Sequence, residues 1–128
     1  MQIEGVVIRG HQLGRTLGFP TANIAVSTAL AVADGVYRSR VWLDGVCYDA
    51  MSNLGCNPSV GGSERRLETH IFGYDSELYG RCMRVELLEK IREERKFASV
   101  DELREQILRD KASVLARIES QIVDAENK

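Results

Sequence analysis

The residues best suited to chemistry fall between positions 10 and 23. Gly10, Gly14 and Gly18 punctuate a stretch carrying His11 and Arg15, and Pro20 leads into Thr21 and Asn23. Glycines let backbone N–H groups approach an anion, because no β-carbon blocks the way. Arg15 adds a fixed positive charge with several donors. Pro20 fixes the backbone before two short polar side chains, and Thr21 and Asn23, two residues apart, share a face if the chain is extended. Their oxygens suit a hard cation such as Mg²⁺, which keeps several waters and shares phosphate oxygens. The same residues also fit a surface turn followed by an ordinary strand, since glycine-rich loops are common. A second candidate is Glu68, in an alternating run over 67–72 where it shares a face with His70. A carboxylate within reach of a hydroxyl can accept its proton. Pattern alone fits a solvated strand carboxylate as well, and His70 fits a structural histidine with its hydrogen bonds satisfied.

The glycine-rich stretch is not a Walker A loop, because no Gly-Lys-Ser/Thr follows it. The His-Arg-Asp and Asp-Phe-Gly elements of protein kinases are also absent.

Strands and turns must position these groups. β-Branched and aromatic residues predict strands over 3–8, 36–43, 46–52, 67–72 and 82–88. Asp44-Gly45 between two such runs predicts a hairpin, because both turn positions need positive φ. Residues 55–63 hold three glycines, a proline, an asparagine and two serines, which predicts an irregular loop. The last third changes period. Ser99 and Glu102 form a capping box, and Val100, Leu103, Ile107, Val114 and Ile118 recur at helical spacing with Leu108, Leu115 and Ile122 beside them. That predicts one helix over about 99–122. Antiparallel strands followed by one helix suggest a small barrel closed or plugged by a C-terminal helix.

The bulk numbers narrow the function classes. A chain of 128 residues fits one domain, and 44% hydrophobic with 28% charged residues is globular rather than disordered. A net charge of −2 gives no general nucleic-acid or membrane-surface binder. Cys47, Cys56 and Cys82 are odd in number and widely spaced, which argues against a disulfide framework or zinc site and for reduced thiols in a cytoplasmic protein. No apolar run approaches the ~18 residues of a membrane span, and the N-terminus lacks a signal-peptide pattern.

The stretch Gly10 to Asn23 resembles the flap and Pro-Thr-Ala-Asn signature of the riboflavin kinase family. The likeness continues through Asn53-Leu-Gly55-Cys-Asn57-Pro58, Leu67-Glu68-Thr69-His70-Ile71, Leu78-Tyr79-Gly80 and Ile91-Arg92-Glu93-Glu94-Arg95-Lys96-Phe97, in the family's order, over about residues 3–118. In bacteria this module is usually the C-terminal half of a bifunctional FAD synthetase; in eukaryotes it stands alone. The resemblance implies a mainly β fold, a Greek-key antiparallel barrel of about six strands with a long C-terminal helix. It implies a single domain over 1–128, with strands over about 3–91. It implies transfer of the γ-phosphoryl group of MgATP to the 5′-hydroxyl of riboflavin, giving FMN and ADP. No counterpart of the nucleotidyltransferase half is seen, so FAD formation is not expected, and a place in a larger bifunctional synthetase is left open. The expected partners are small molecules, with no nucleic acid and no membrane.

By position, Glu68 matches the family's catalytic base. Gly10, Gly14 and Arg15 fall in the flap that contacts the nucleotide, and Thr21 and Asn23 match the residues that hold Mg²⁺ and the ATP phosphates. Ile71, Gly73 and Tyr79 match positions lining the adenine nucleotide pocket. Arg92, Arg95 and Phe97 match the segment covering the flavin. Two departures touch flavin-site detail: Asn57 stands where bacterial members often have arginine, and Glu93 where some have proline. The alternative reading is a non-catalytic flavin- or nucleotide-binding regulatory module. Such a module needs no base, so the presence of Glu68 beside Thr21 and Asn23 favours the enzyme. A redox barrel holding FMN as cofactor would not need the Pro-Thr-Ala-Asn block.

Overall fold

The computed structural model describes residues 1–9, 18–59, 62–74 and 76–126, with the side chains of 57–63 and 123–126 outside the description. Six strands and one helix follow in order. They are β1 Gln2–Ile8, β2 Ala22–Val26, β3 Gly35–Leu43, β4 Val46–Ser59, β5 Gly62–Ile71, β6 Cys82–Arg92 and α1 Val100–Glu126. The chain divides into two compact units, Met1–Glu94 and Arg95–Lys128.

In the first unit the strands close a barrel in the order β1-β2-β5-β4-β3-β6, every neighbouring pair antiparallel. β3, β4 and β5 form consecutive hairpins and β6 returns beside β3, which is Greek-key connectivity. Closure comes from pairing of β1 with β6, which leaves the sheet no free edge. Strand alternation then sorts the side chains. Ile3, Val7, Ile24, Val41, Leu54, Leu67, Met83 and Val85 turn inward and are buried in one core cluster. Fully burying such a side chain contributes about 1.5–3 kcal/mol. Three hydroxyls share that interior as a chain, Ser39 to Ser52 at 2.8 Å and Ser52 to Thr69 at 2.7 Å.

Asp44, at φ 50°, and Gly45, at φ 79°, make the predicted turn between β3 and β4. Residues 55–63 differ from the expectation. β4 runs on to Ser59 and β5 begins at Gly62, with Gly55 facing Arg66 and Ser59 facing Gly62. Pairing along a ladder already set by Ala50–Ile71 and Leu54–Leu67 outweighs the weak turn preference of these residues. The proline sits near the hairpin end, where such residues are tolerated.

In the second unit, α1 starts where the capping box places it. The Glu102 amide donates to Ser99 Oγ at 3.1 Å, and the Ala98 amide donates to Glu102 Oε2 at 3.1 Å. The first contact satisfies an amide that the first turn of a helix leaves without a partner, and the second ties down the residue before the cap. The helix runs to Glu126, past the predicted end near 122, with Asp101 and Glu102 in its first turn favouring the dipole. No helix of the described residues is long and apolar enough to cross a membrane.

Candidate active site

β5 carries the central residue. Leu67, Thr69 and Ile71 point into the barrel and are buried, so Arg66, Glu68 and His70 lie on the outer face of the same strand. Register places Glu68 opposite Asn23 of β2 on one side and opposite Asn53 of β4 on the other. The three residues form one row across three strands. Both amides in that row are unusual. Asn23 is 4% exposed, and the Oδ1 atoms of Asn23 and Asn53 are buried with no hydrogen-bond partner among the described residues. A buried acceptor left unmatched costs about 1–3 kcal/mol, so such atoms are rare without a reason.

Glu68 opens into a cleft lined by Asn53, Gly55, Arg66, Glu68 and Glu94. Glu94 follows the end of β6; the residue is exposed as a whole, but its carboxylate is laid against Gly55. A β-carbon at position 55 would meet that carboxylate, the end of a flexible side chain, which would have to shift aside. Burial pushes the Glu94 carboxyl up from its ordinary 4.5, the negative charges of Asp34 and Glu68 add to the rise, and Arg92 opposes it. Arg66 directs Nε and Nη2 to Glu64 Oε2, at 3.1 and 2.6 Å, and Nη1 to the Arg9 carbonyl at 3.4 Å.

Neighbouring groups hold the row in place. His70 is 8% exposed, its Nδ1 lies 2.9 Å from the Pro20 carbonyl, and its ring meets Phe19 and Phe72 edge to face. A carbonyl only accepts, so Nδ1 carries the proton of that bond. His70 thus acts as a structural histidine, as its sequence context also fits, and it pins the backbone just ahead of Thr21 and Asn23. Arg65, also buried, gathers the connection between β2 and β3. It pairs with Asp34 at 2.9 Å and donates to the carbonyls of Leu30 at 2.7 Å, Ser27 and Val32.

The remaining sequence candidates are placed as follows. Thr21 is half-buried at the entry to β2, one residue before the strand begins. Ile71 is buried with the barrel core at the end of β5, so only its backbone is left for a ligand on the outer side. Gly73, at φ 75°, and the exposed Tyr79 lie in the connection to β6, where Arg9 stacks 4.7 Å above the Tyr79 ring. Arg92 ends β6 and donates to the Glu93 carbonyl at 2.9 Å. In the second unit Arg95 stacks 5.0 Å over Phe97 and donates to Gln106 Oε1 at 3.3 Å. Gly10, Gly14 and Arg15 lie outside the described residues. Asn53, Gly55 and Glu94 lie within the motif blocks, where the sequence by itself assigns them no role. Their meeting depends on strand register, which residue spacing does not reveal.

A cation held by three or more His, Cys, Asp or Glu side chains is not provided for among the described residues. The donor chemistry instead suits Mg²⁺ shared with phosphate oxygens: the buried, unmatched Asn23 Oδ1 is the kind of oxygen such an ion takes.

Comparison with known proteins agrees with this geometry. The family model described as riboflavin kinase matches residues 1–118. This chain belongs to the riboflavin kinase family. The bifunctional riboflavin kinase/FMN adenylyltransferase of Escherichia coli K12 is 43% identical over 84% of this chain and 35% of its own length. The chain therefore spans about a third of that relative. The RNA-binding riboflavin kinase of Bacillus subtilis is 38% identical over 98% of this chain and 55% of its own length. A crystal structure of a Streptococcus pneumoniae protein, named a macrolide-efflux protein, superposes with a TM-score of 0.79 at 37% identity, covering 88% of this chain and 38% of that one. The riboflavin kinase fold of the barrel is thereby shown, with its six antiparallel strands.

Proposed function

We propose that this chain acts as a single riboflavin kinase domain, transferring the γ-phosphoryl group of ATP to the 5′-hydroxyl of riboflavin, with Glu68 as general base. The observation that carries the reading is the row Asn23–Glu68–Asn53, in which a carboxylate in an open cleft stands beside a buried, unmatched amide oxygen. A primary alcohol is a poor nucleophile until its proton has an acceptor. Glu68 takes that proton as the new oxygen–phosphorus bond forms and the bond from the γ-phosphorus to the bridging oxygen breaks, releasing ADP.

Positioning and charge neutralisation supply the rest of the barrier reduction. Thr21 and Asn23 would hold Mg²⁺, which when bound neutralises phosphate charge. Gly10, Gly14 and Arg15 cradle the phosphates, and Ile71, Gly73 and Tyr79 border the adenine. Arg92, Arg95 and Phe97 cover the flavin. The setting is cytoplasmic, in keeping with three free cysteines. The partners are riboflavin and ATP. RNA binding belongs to the name of the Bacillus subtilis relative.

The test is incubation of the purified chain with riboflavin and MgATP, followed by chromatography. FMN accumulates without FAD. Absence of FMN retires the kinase reading and leaves a binding module.

A further inference from the structure

Thr21 and Asn23 are held to the barrel in different ways. Asn23 sits inside the sheet, facing Glu68 of β5 on one side and Ile8 of β1 on the other. Pairing of β2 with β5 begins only at Ala22, which faces Thr69, so Thr21 lies one residue short of the ladder. Pro20, just before it, has no N–H with which to add a rung. Its carbonyl is the group left to anchor, and His70 Nδ1–H donates to it at 2.9 Å. The His70 side chain therefore carries the hold of β5 past the end of its backbone pairing with β2. The imidazole is itself fixed. It is buried, and the rings of Phe19 and Phe72 meet it edge to face at 5.7 and 5.5 Å. The Phe72 amide donates to the Asp49 carbonyl at 2.9 Å, which ties that ring to β4 beyond the end of β5. A side chain already ordered by packing loses little further freedom in making a hydrogen bond, so the bond can define where its acceptor sits.

We infer that His70 is a positioning residue for the metal and phosphate site, acting through the Pro20 carbonyl on Thr21 and not on Asn23. The inference rests on the reading above that Thr21 and Asn23 hold Mg²⁺ with the ATP phosphates. It separates the two oxygens by what supports them: the sheet itself sets Asn23, and one side chain sets Thr21. Groups that orient a metal's ligands are worth about 10- to 100-fold in affinity or activity when removed. Loss of the His70 donor should therefore weaken the magnesium nucleotide and leave riboflavin binding in place.

The experiment uses two variants that divide the properties of the imidazole. His70→Phe keeps a ring against Phe19 and Phe72 and removes the donor, whereas His70→Asn loses the ring and keeps an N–H at the δ position. Calorimetry measures MgADP and riboflavin binding in each. His70→Phe lowers MgADP affinity about tenfold or more with riboflavin affinity unchanged, and His70→Asn recovers most of the loss. Should His70→Phe fail to fold, His70→Leu, which has the shape of asparagine without its donor, takes its place. In the ligand-free chain, the NMR order parameter of the Thr21 amide falls in His70→Phe and holds in His70→Asn, while that of Asn23 stays the same. Double-mutant cycles then name the residue acted on. Thr21→Ala adds little to His70→Phe, whereas Asn23→Ala still costs its full amount. Unchanged MgADP affinity in His70→Phe overturns the inference. So does a loss that adds fully to both Thr21→Ala and Asn23→Ala, since that is the mark of packing alone. If the wild-type chain makes no FMN, the kinase reading fails, and the MgADP affinities still decide the role of His70.

Discussion

Adjacent rungs of one ladder treat polar side chains in opposite ways. Ser52 faces Thr69, and the next pair is Asn53 facing Glu68. The first pair points into the barrel, where the hydroxyls of Ser39, Ser52 and Thr69 satisfy one another within 2.8 Å. The second points outward, where Asn53 and its row-mate Asn23 keep oxygens with no partner among the described residues. Both sets lie in low-dielectric surroundings, where an unmatched group is costly. Inside the barrel the cost is cancelled within the protein. In the outer row nothing among the described residues cancels it at the Asn23 and Asn53 oxygens. A third unmatched atom, Arg38 Nη1, does not belong to this row; its guanidinium is held by Glu89 through Nε at 2.5 Å and Nη2 at 2.7 Å. The contrast locates function better than burial alone, because Ser52 and Asn23 are both buried and only one is satisfied.

The largest effect expected on breaking the contrast is at Glu68. Glu68→Gln keeps the shape of the cleft and removes the proton acceptor. It should lower kcat by ~10²- to 10⁴-fold, with riboflavin and ATP still binding by calorimetry. A variant whose kcat stays within about threefold of wild type is well short of a general-base effect and would remove Glu68 from the mechanism.

Next is the outer amide. Asn23→Ala removes an oxygen with no structural partner, so the fold should hold while activity at limiting Mg²⁺ drops about tenfold or more, as for a lost contact of about 1.5–3 kcal/mol to a charged group. Thr21→Ala should act in the same direction. Full activity of both variants under titrated Mg²⁺ would show that the metal is held elsewhere.

The inner rung should answer in the opposite currency. Ser52→Ala removes the middle of the hydroxyl chain and strands Ser39 and Thr69. Stability should fall by about 1–3 kcal/mol in urea or thermal unfolding, while kcat of the folded fraction stays close to wild type. Loss of turnover without loss of stability would erase the distinction between the rungs.

The smallest effect is on stability at Glu94. The folded state holds the Glu94 proton more tightly than the unfolded chain, because burial raises its affinity above the ordinary 4.5. Stability from this group is therefore greatest at low pH and falls as pH rises from about 4.5 through the raised native value. Glu94→Gln should raise the melting temperature slightly at neutral pH, and the gain over wild type should shrink toward acidic pH. A gain independent of pH would place the effect in packing instead of charge.

Much of this protein can be read from local chemistry. Alternation assigns Leu67, Thr69 and Ile71 to one face and Glu68 and His70 to the other. Asp44-Gly45 marks a hairpin and Ser99 with Glu102 starts the helix, because each depends on backbone preferences a few residues wide. The ordered motif blocks point to the riboflavin kinase family. What residue order leaves open is which strands lie side by side. The pairing of residues 55–59 with 62–66 overrode a glycine- and proline-rich composition, because ladder hydrogen bonds outweigh weak local preference. The meeting of Asn23, Glu68 and Asn53, and of Glu94 with Gly55, joins residues far apart in the chain. Only closure of the barrel sets their register, and only that register decides which buried polar atoms find partners and which do not.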